Sequence, residues 1–218
     1  MPADSPYSVH PSIPYIQNII AKLKTKTGRS VEEWVAFVKK EGPKTEADRR
    51  VWLKETHKLG TNYAWWIAER VEGRGEEDGD PEAYLRKAPE YVAEMFAGKR
   101  AALKPIYDKL LEIGLATGQE AKACPCKTIV PLYREHVFAE IKPATNSRID
   151  LGLALGNLNR KIPSRIEPVK GAKGNRITHR IPIESPAAVD DFVVRWLKTA
   201  YDADGESPGP QRKSARER

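Results

Sequence analysis

Apolar residues in the N-terminal part of the chain recur every three or four positions, which is the spacing of amphipathic α-helices. Ser30 with Glu33 three residues later forms a capping-box pattern, which marks a helix start. Gly42-Pro43 marks a helix end, and a Leu59-Gly60 turn separates the last two periodic segments. The pattern therefore predicts a four-helix domain over residues 12–72.

Beyond Thr117 the period changes, and apolar residues alternate with more polar ones as in strands that have one buried face. The alternation is clearest at Ile149, Leu151 and Leu153. Ser185-Pro186 then opens a final helix, with Ser185 as its expected cap, and a typical apolar stripe follows. Strands bracketed by helices indicate the α+β class, so we expect a domain at 82–203 with an antiparallel sheet and flanking helices.

Two further segments have the composition of connecting or terminal chain. Residues 73–81 are rich in glycine and acidic side chains and contain no apolar residue, which predicts a linker. Residues 204–218 carry two prolines and a single apolar residue, Ala215, which predicts a disordered tail.

The composition, with 40% apolar and 31% charged residues and a net charge of +7, is typical of a globular protein and excludes a collagen-like or fully disordered chain. No uncharged apolar run approaches the ~20 residues of a membrane span. Residues 1–11 lack a secretory signal, so we expect a cytoplasmic protein. Cys124 and Cys126 flank Pro125, which fits half of a zinc site or, more simply, two partly buried thiols. No metal and no cofactor is predicted.

The segment from Lys58 to Ile67 resembles the helix-hairpin-helix signature, in which a tight turn joins two helices and the second helix begins at a DNA phosphate. Leu59, Gly60, Ala64 and Ile67 match that signature, whereas Lys58 stands where its first glycine usually lies. The resemblance implies sequence-independent contacts to nucleic-acid phosphate. An ordinary turn between two packed helices explains the same pattern. The residues that would contact phosphate are Lys58, Gly60, Thr61 and Asn62.

Residues 157–180 form the most basic part of the chain, with seven lysines and arginines and one acidic residue, Glu167. Such a segment attracts polyanions with a strong dependence on salt, although a solvated loop has the same composition. No aromatic residue lies within it, so base stacking is not predicted there. The residues predicted to add nucleic-acid contacts are Arg160, Lys161, Lys170, Lys173 and Arg176.

Polar side chains on or beside the predicted strands suggest a second function, the binding of a small molecule or anion by the α+β domain. Lys142 and Arg148 would supply positive charge. A core position for His179 and a surface ion pair between Asp150 and Arg148 explain the same residues. No catalytic residue is predicted, because no nucleophile, phosphate loop or dinucleotide fingerprint is present. The predicted ligand residues are Tyr133, Lys142, Arg148, Asp150 and His179.

Two stretches resemble known families of uncharacterised proteins. Residues 27–34 (TGRSVEEW), followed by residues 52–64 (WLKETHKLGTNYA), are similar to a small helical bacterial domain of unknown function, which usually has glycine where Lys58 stands. Residues 127–133, 138–143, 148–153 and 178–181 resemble a second family, sometimes labelled predicted transport protein and related to α+β domains of the YdhG type. The resemblance covers most of residues 12–203. It implies a two-domain bacterial protein and no catalytic residue, and we expect a non-catalytic nucleic-acid-associated protein.

Overall fold

The computed structural model describes residues 5–172 and 174–206. Within these residues the chain separates into two compact units, one built mainly from Val9–Lys87 and the other from Pro6–Ser8 and the chain from Ala88 onward. The first unit is helical and the second contains a sheet with helices, which confirms the predicted α+β class.

The first unit contains four successive helices, as predicted: α1 (Ile13–Thr27), α2 (Val31–Glu41), α3 (Glu46–Glu55) and α4 (Thr61–Val71). Helix α4 packs against both α2 and α3. Their buried side chains form one apolar core, composed of Leu23, Trp34, Val38, Leu53, Leu59, Ala64 and Ile67.

Side-chain caps explain where two of these helices begin. The Ser30 hydroxyl accepts the N–H of Glu33, and the Glu33 carboxylate accepts the N–H of Ser30, so both halves of the capping box are formed. The Thr45 hydroxyl accepts the N–H of Asp48 at the start of α3. Each bond satisfies a backbone group that has no acceptor within its helix.

Residues 73–81, predicted as a linker, contain a 3-10 turn at Glu76–Asp78. A Cβ added at Gly79 would lie 2.8 Å from Ile20 Cδ1, so this glycine packs directly against α1. Helix α5 (Pro81–Met95) follows, with Pro89 inside it. Asp80 accepts the N–H groups of Glu82 and Ala83 and so caps α5. The glycines and acidic residues of 73–81 therefore form a tight turn and the cap of α5.

The second unit contains a six-stranded antiparallel sheet in the order β1-β2-β3-β4-β6-β5. Strand β4 contains the predicted alternation of Ile149, Leu151 and Leu153, whereas the two-residue strands β1 and β5 were not predicted. The strands are β1 (Lys122–Ala123), β2 (Val130–Tyr133), β3 (Val137–Pro143), β4 (Ile149–Leu153), β5 (Glu167–Pro168) and β6 (His179–Ile183).

Two helices cover one face of this sheet, since α6 (Lys104–Leu115) contacts β1 and α7 (Asp191–Glu206) contacts β3. The alternating apolar positions of the strands point to this side and are fully buried. Across the central strands they are Val130, Leu132, Ala139, Ile141, Leu151, Leu153, Ile181 and Ile183.

The last helix differs from its prediction at both ends. A 3-10 turn occupies Pro186–Ala188, and Asp190, not Ser185, caps α7 by accepting the N–H of Val193 at 3.2 Å. At the other end α7 includes Asp204, which is buried although the sequence placed it in a disordered tail. The rest of that predicted tail, from residue 207, lies outside the described residues.

Candidate functional site

The turn between α3 and α4 has an unusual backbone conformation at Lys58. Its φ of +54° lies in the left-handed region, and no other described residue except glycines has a positive φ. The N–H of Leu59 donates to the carbonyl of Leu53 at 3.1 Å and closes the turn. Glycine adopts this conformation without steric cost, which explains why a glycine suits the position that Lys58 holds here.

The apolar and polar positions of this turn face opposite ways. Leu59 and Ala64 are buried in the core of the first unit. Lys58, Gly60 and the two residues that begin α4 are exposed. We refer to residues 58–62 as the corner. The structure therefore brings the four predicted phosphate contacts together on one exposed turn.

The start of α4 carries no compensating negative charge of its own. Gly60 is its N-cap and offers no side-chain acceptor, and its first turn contains no acidic residue. The first turns of α2 and α3 each contain two acidic residues. Because the first amides of a helix lack acceptors within it and carry a partial positive charge, the corner favours an external anion.

His57, directly before Lys58, is held by three aromatic side chains from α2 and α3. Its ring centroid lies 5.3 Å from those of Trp34 and Phe37 and 4.4 Å from that of Trp52. Burial lowers the pKa of His57, and the positive charge of Arg29 lowers it further. The ring is thus neutral near pH 7 and anchors the residue that precedes the left-handed turn. The sequence shows that aromatic residues are frequent in this segment, but it does not show that they surround His57.

Arginines of the basic segment, residues 157–180, are bound to carboxylates of the same unit. Arg165 contacts Asp190 at 2.7 Å and Arg180 contacts Asp150 at 2.7 Å. Arg176, one of the predicted nucleic-acid contacts, pairs with a buried carboxylate on α7. These ion pairs neutralise much of the segment's charge, so its attraction for a polyanion is weaker than its composition indicates.

The other predicted contacts of the basic segment lie in different surroundings. Arg160 donates to the Thr199 hydroxyl at 3.0 Å and stacks over the Trp196 ring at 4.2 Å. Lys161 and Lys170 are exposed. Lys173 lies outside the described residues. The exposed cations of the prediction are thus two lysines and an arginine that rests on a tryptophan.

The polar face of the sheet, opposite the helices, carries a chain of ion pairs. Asp150 accepts Arg148 Nε at 2.9 Å and Arg180 Nη1 at 2.7 Å, and Arg180 also contacts Glu167 at 2.9 Å. Lys142 lies opposite Asp150 in the strand register and is exposed. These groups form alternating charges across neighbouring strands, which is a structural arrangement.

The remaining residues of the predicted ligand set lie elsewhere. His179 pairs with Leu153, so it lies on the opposite face of the sheet from Asp150, and its ring bonds to the Thr178 hydroxyl. Tyr133 pairs with Val137 at the far end of β3 from Lys142, and burial raises its pKa to about 12. The five residues therefore do not line a common site.

Among the described residues of the second unit, Asp204 is the most buried charged group, and it was not identified from the sequence. Its side chain is fully buried, and it accepts the backbone N–H groups of Glu135 at 3.0 Å and His136 at 2.8 Å. Arg176 also donates to it. These partners are far apart along the chain, so no local pattern marks them.

The structure does not favour a metal site at the two cysteines or at other possible ligands among the described residues. Cys124 is buried, and burial raises the pKa of its thiol to about 12. A thiolate is the form that binds zinc, so this environment disfavours a metal. Within residues 5–172 and 174–206, no three His, Cys, Asp or Glu side chains are grouped to hold a metal ion. No helix in that part of the chain is both long and apolar enough to cross a bilayer.

Comparison with known families assigns the second unit. A family described as a domain of unknown function, DUF5655, matches residues 92–204, which is more than half of the chain. The chain belongs to the DUF5655 family. The DUF5655 match ends at Asp204, so it includes the sheet, the basic segment and most of α7. A second domain of unknown function, DUF4287, matches residues 16–73, the region of the four helices. No curated protein and no solved structure matches the chain.

Proposed function

We propose that this protein binds nucleic acid without catalysing a reaction, through backbone phosphate at the corner, residues 58–62. The left-handed conformation of Lys58 is the observation that carries the proposal. It turns the chain so that Lys58, Gly60, Thr61 and Asn62 are exposed beside the uncapped start of α4. A lysine and free helix amides together favour a phosphate oxygen. Such contacts position a protein without reading bases, so binding is independent of sequence.

The basic segment has a smaller part in this proposal than its charge indicated. Arg160 and Arg176 are held by contacts within the second unit, so this part of the proposal relies on the exposed side chains of Lys161 and Lys170. Exposed lysines add affinity through counterion release, so their contribution is largest at low salt. Lys173, which lies outside the described residues, is included in this proposal on the basis of the sequence alone.

Fluorescence anisotropy of labelled duplex DNA with the full-length protein tests the corner. We expect binding at about 50 mM salt that weakens linearly on a logarithmic salt scale. Lys58→Glu removes one phosphate contact, so the salt slope falls by about one. Asn62→Asp places a carboxylate in the first turn of α4, which stabilises the helix by about 0.5 kcal/mol but repels phosphate.

The two variants have a matched control in Lys22→Glu, which makes the same charge change at an exposed position of α1. We expect Lys22→Glu to weaken binding less than either corner variant. Because Asn62→Asp favours the fold, a loss of binding in this variant cannot come from unfolding. Absence of binding at low salt, or equal effects of all three substitutions, contradicts the proposal.

The predicted ligand set on the sheet does not carry a second function, because Asp150 and His179 lie on opposite faces. A bacterial origin, a cytoplasmic location and a likeness to YdhG-type domains stay predictions from the sequence, as do the domain limits.

A further inference from the structure

A cavity of about 360 Å³ opens in the second unit, and its lining includes no residue of the corner or of the predicted ligand set on the sheet. Its walls come from the chain that follows β4, from the segment before β6 and from the end of α7. This volume lies within the range of sites for small molecules, about 300–1,000 Å³. The lining residues that matter below are Gly156, Asn157, Asn175, Arg176, Thr178 and Asp204.

The guanidinium of Arg176 is fixed at the wall of this cavity. Its Nε donates to the Val137 carbonyl at 2.8 Å and its Nη2 donates to Asp204. Among the described residues no acceptor contacts its Nη1, and the side chain is 34% exposed. One edge of the guanidinium is therefore anchored in the protein, while further N–H groups remain for a ligand.

Asp204 balances the charge of Arg176, and its carboxylate is held by two further donors. The N–H groups of Glu135 and His136 share its carboxylate, at 3.0 and 2.8 Å. Hydrogen bonds from backbone amides stabilise an ionised carboxylate in the same way as a cation does. The carboxylate is thus satisfied from inside the protein, and its function at the cavity is to hold Arg176 in place.

The other polar lining groups are neutral. Asn157 and Asn175 carry amides that can donate hydrogen bonds, and both are exposed. The Thr178 hydroxyl is bonded to His179. Apart from the satisfied Asp204, no lining residue is acidic. Exposed Lys161 and Lys170 on the same segment add a positive potential that draws anions toward this part of the unit.

We propose that this cavity binds a small organic anion, with its carboxylate or phosphate group on the free edge of Arg176 and with Asn157 and Asn175 as further donors. A fixed guanidinium fork matches the planar oxygens of a carboxylate and the oxygens of a phosphate. The proposal does not depend on the corner, since the cavity uses none of the residues 58–62.

The test is an NMR titration of the full-length, ¹⁵N-labelled protein with malate, citrate, glucose 6-phosphate and 3-phosphoglycerate. Acetamide and sodium chloride at equal ionic strength are the neutral and ionic controls. Ligands of about ten heavy atoms bind with millimolar affinity when a few contacts are made, so titrations extend to about 10 mM. The carboxylates and the phosphates form separate arms, and the arm that binds identifies the head group. We expect saturable shifts in the amides of residues 154–158 and 174–178.

Three variants connect the shifts with the cavity. Arg176→Lys keeps the charge beside Asp204 but loses the fork, so we expect affinity to fall by about tenfold or more. Gly156→Val fills the space beside Thr178, because a Cβ at Gly156 already lies 3.1 Å from Thr178 Cγ2. Lys99→Gln removes one exposed charge at a position that does not line the cavity, and we expect a change of less than about twofold.

The ¹⁵N spectrum of each variant shows whether its fold is retained, and Asn157→Ala, at an exposed position, provides a test that does not depend on packing. We expect Asn157→Ala to weaken binding by about fivefold. No saturable shift with any of the four anions overturns the proposal. Shifts located elsewhere, or equal losses in Arg176→Lys and Lys99→Gln, overturn it as well, because they indicate binding by general charge.

Discussion

Asp204, near the end of α7, accepts the backbone N–H of His136, in the turn between β2 and β3, at 2.8 Å. The neighbouring N–H of Glu135 donates to the same oxygen at 3.0 Å. The carboxylate is fully buried and also pairs with Arg176. One acidic side chain thus connects the last helix, a strand turn and the segment that lines the cavity.

Replacement of this carboxylate should strongly destabilise the second unit. Asp204→Ala leaves two backbone N–H groups and the Arg176 guanidinium without their acceptor, so we expect a loss of about 3 kcal/mol in the free energy of unfolding. Urea unfolding followed by circular dichroism measures it. The matched control is Asp202→Ala, which removes an exposed ion pair with Lys198 on the same helix. That change should cost less than about 0.5 kcal/mol, and similar losses in both variants would show that Asp204 has no special role.

The left-handed conformation of Lys58 predicts a difference between glycine and alanine at this position. Both substitutions remove the lysine charge, but only alanine keeps a Cβ in a conformation that costs about 1–2 kcal/mol. Lys58→Gly should therefore be more stable than Lys58→Ala by about 1 kcal/mol, the gain being reduced by the greater freedom of glycine in the unfolded chain. Chemical unfolding of the two variants measures the difference. Equal stabilities would mean that the turn is not left-handed in solution.

Stability of the first unit should fall as the pH is lowered through the range of histidine titration. The pKa of folded His57 lies below its ordinary value of 6.5, so the unfolded chain binds a proton more readily than the folded chain. This contribution to stability is complete above that ordinary value and is lost as the pH falls below it. Urea midpoints between pH 8 and pH 5, followed by tryptophan emission, measure the effect.

His57→Phe is the direct control for this pH dependence, because phenylalanine keeps an aromatic ring among Trp34, Phe37 and Trp52 but cannot be protonated. Burial also lowers the pKa of His10, so that residue contributes in the same direction. We expect His57→Phe to reduce the slope of stability against pH, and the further change His10→Gln to reduce it more. An unchanged slope in His57→Phe would contradict the assigned pKa shift.

A close contact between Gly114 on α6 and Leu132 on β2 predicts that alanine is destabilising in a helix. A Cβ at Gly114 would lie 2.7 Å from Leu132 Cδ1, and the resulting overpacking costs about 1–3 kcal/mol. The helix propensity of alanine returns about 1 kcal/mol, so we expect a net loss of about 1 kcal/mol for Gly114→Ala. Leu132→Val shortens the opposing side chain, so the Cβ of Gly114→Ala then has more space and the substitution should cost less stability. A double-mutant cycle without a coupling of at least about 0.5 kcal/mol would contradict this packing.

The elements with long, regular periods were predictable from the sequence, and the short ones were not. The alternation at Ile149, Leu151 and Leu153 identified β4, and Ser30 with Glu33 identified the start of α2. Strands β1 and β5 have two residues each, which is too short for a period to be visible.

For the candidate sites the sequence determined which chemical groups are available, and the tertiary structure decided where each one acts. The order of residues 58–64 was sufficient to indicate the corner, because a tight turn between adjacent helices depends on neighbouring residues. The partners of Arg176 and the cavity beside it could not be inferred, since Asp204 is 28 residues away and Val137 is 39. Periodicity reports which side of an element is apolar, whereas an ion pair depends on how distant segments meet when the core closes.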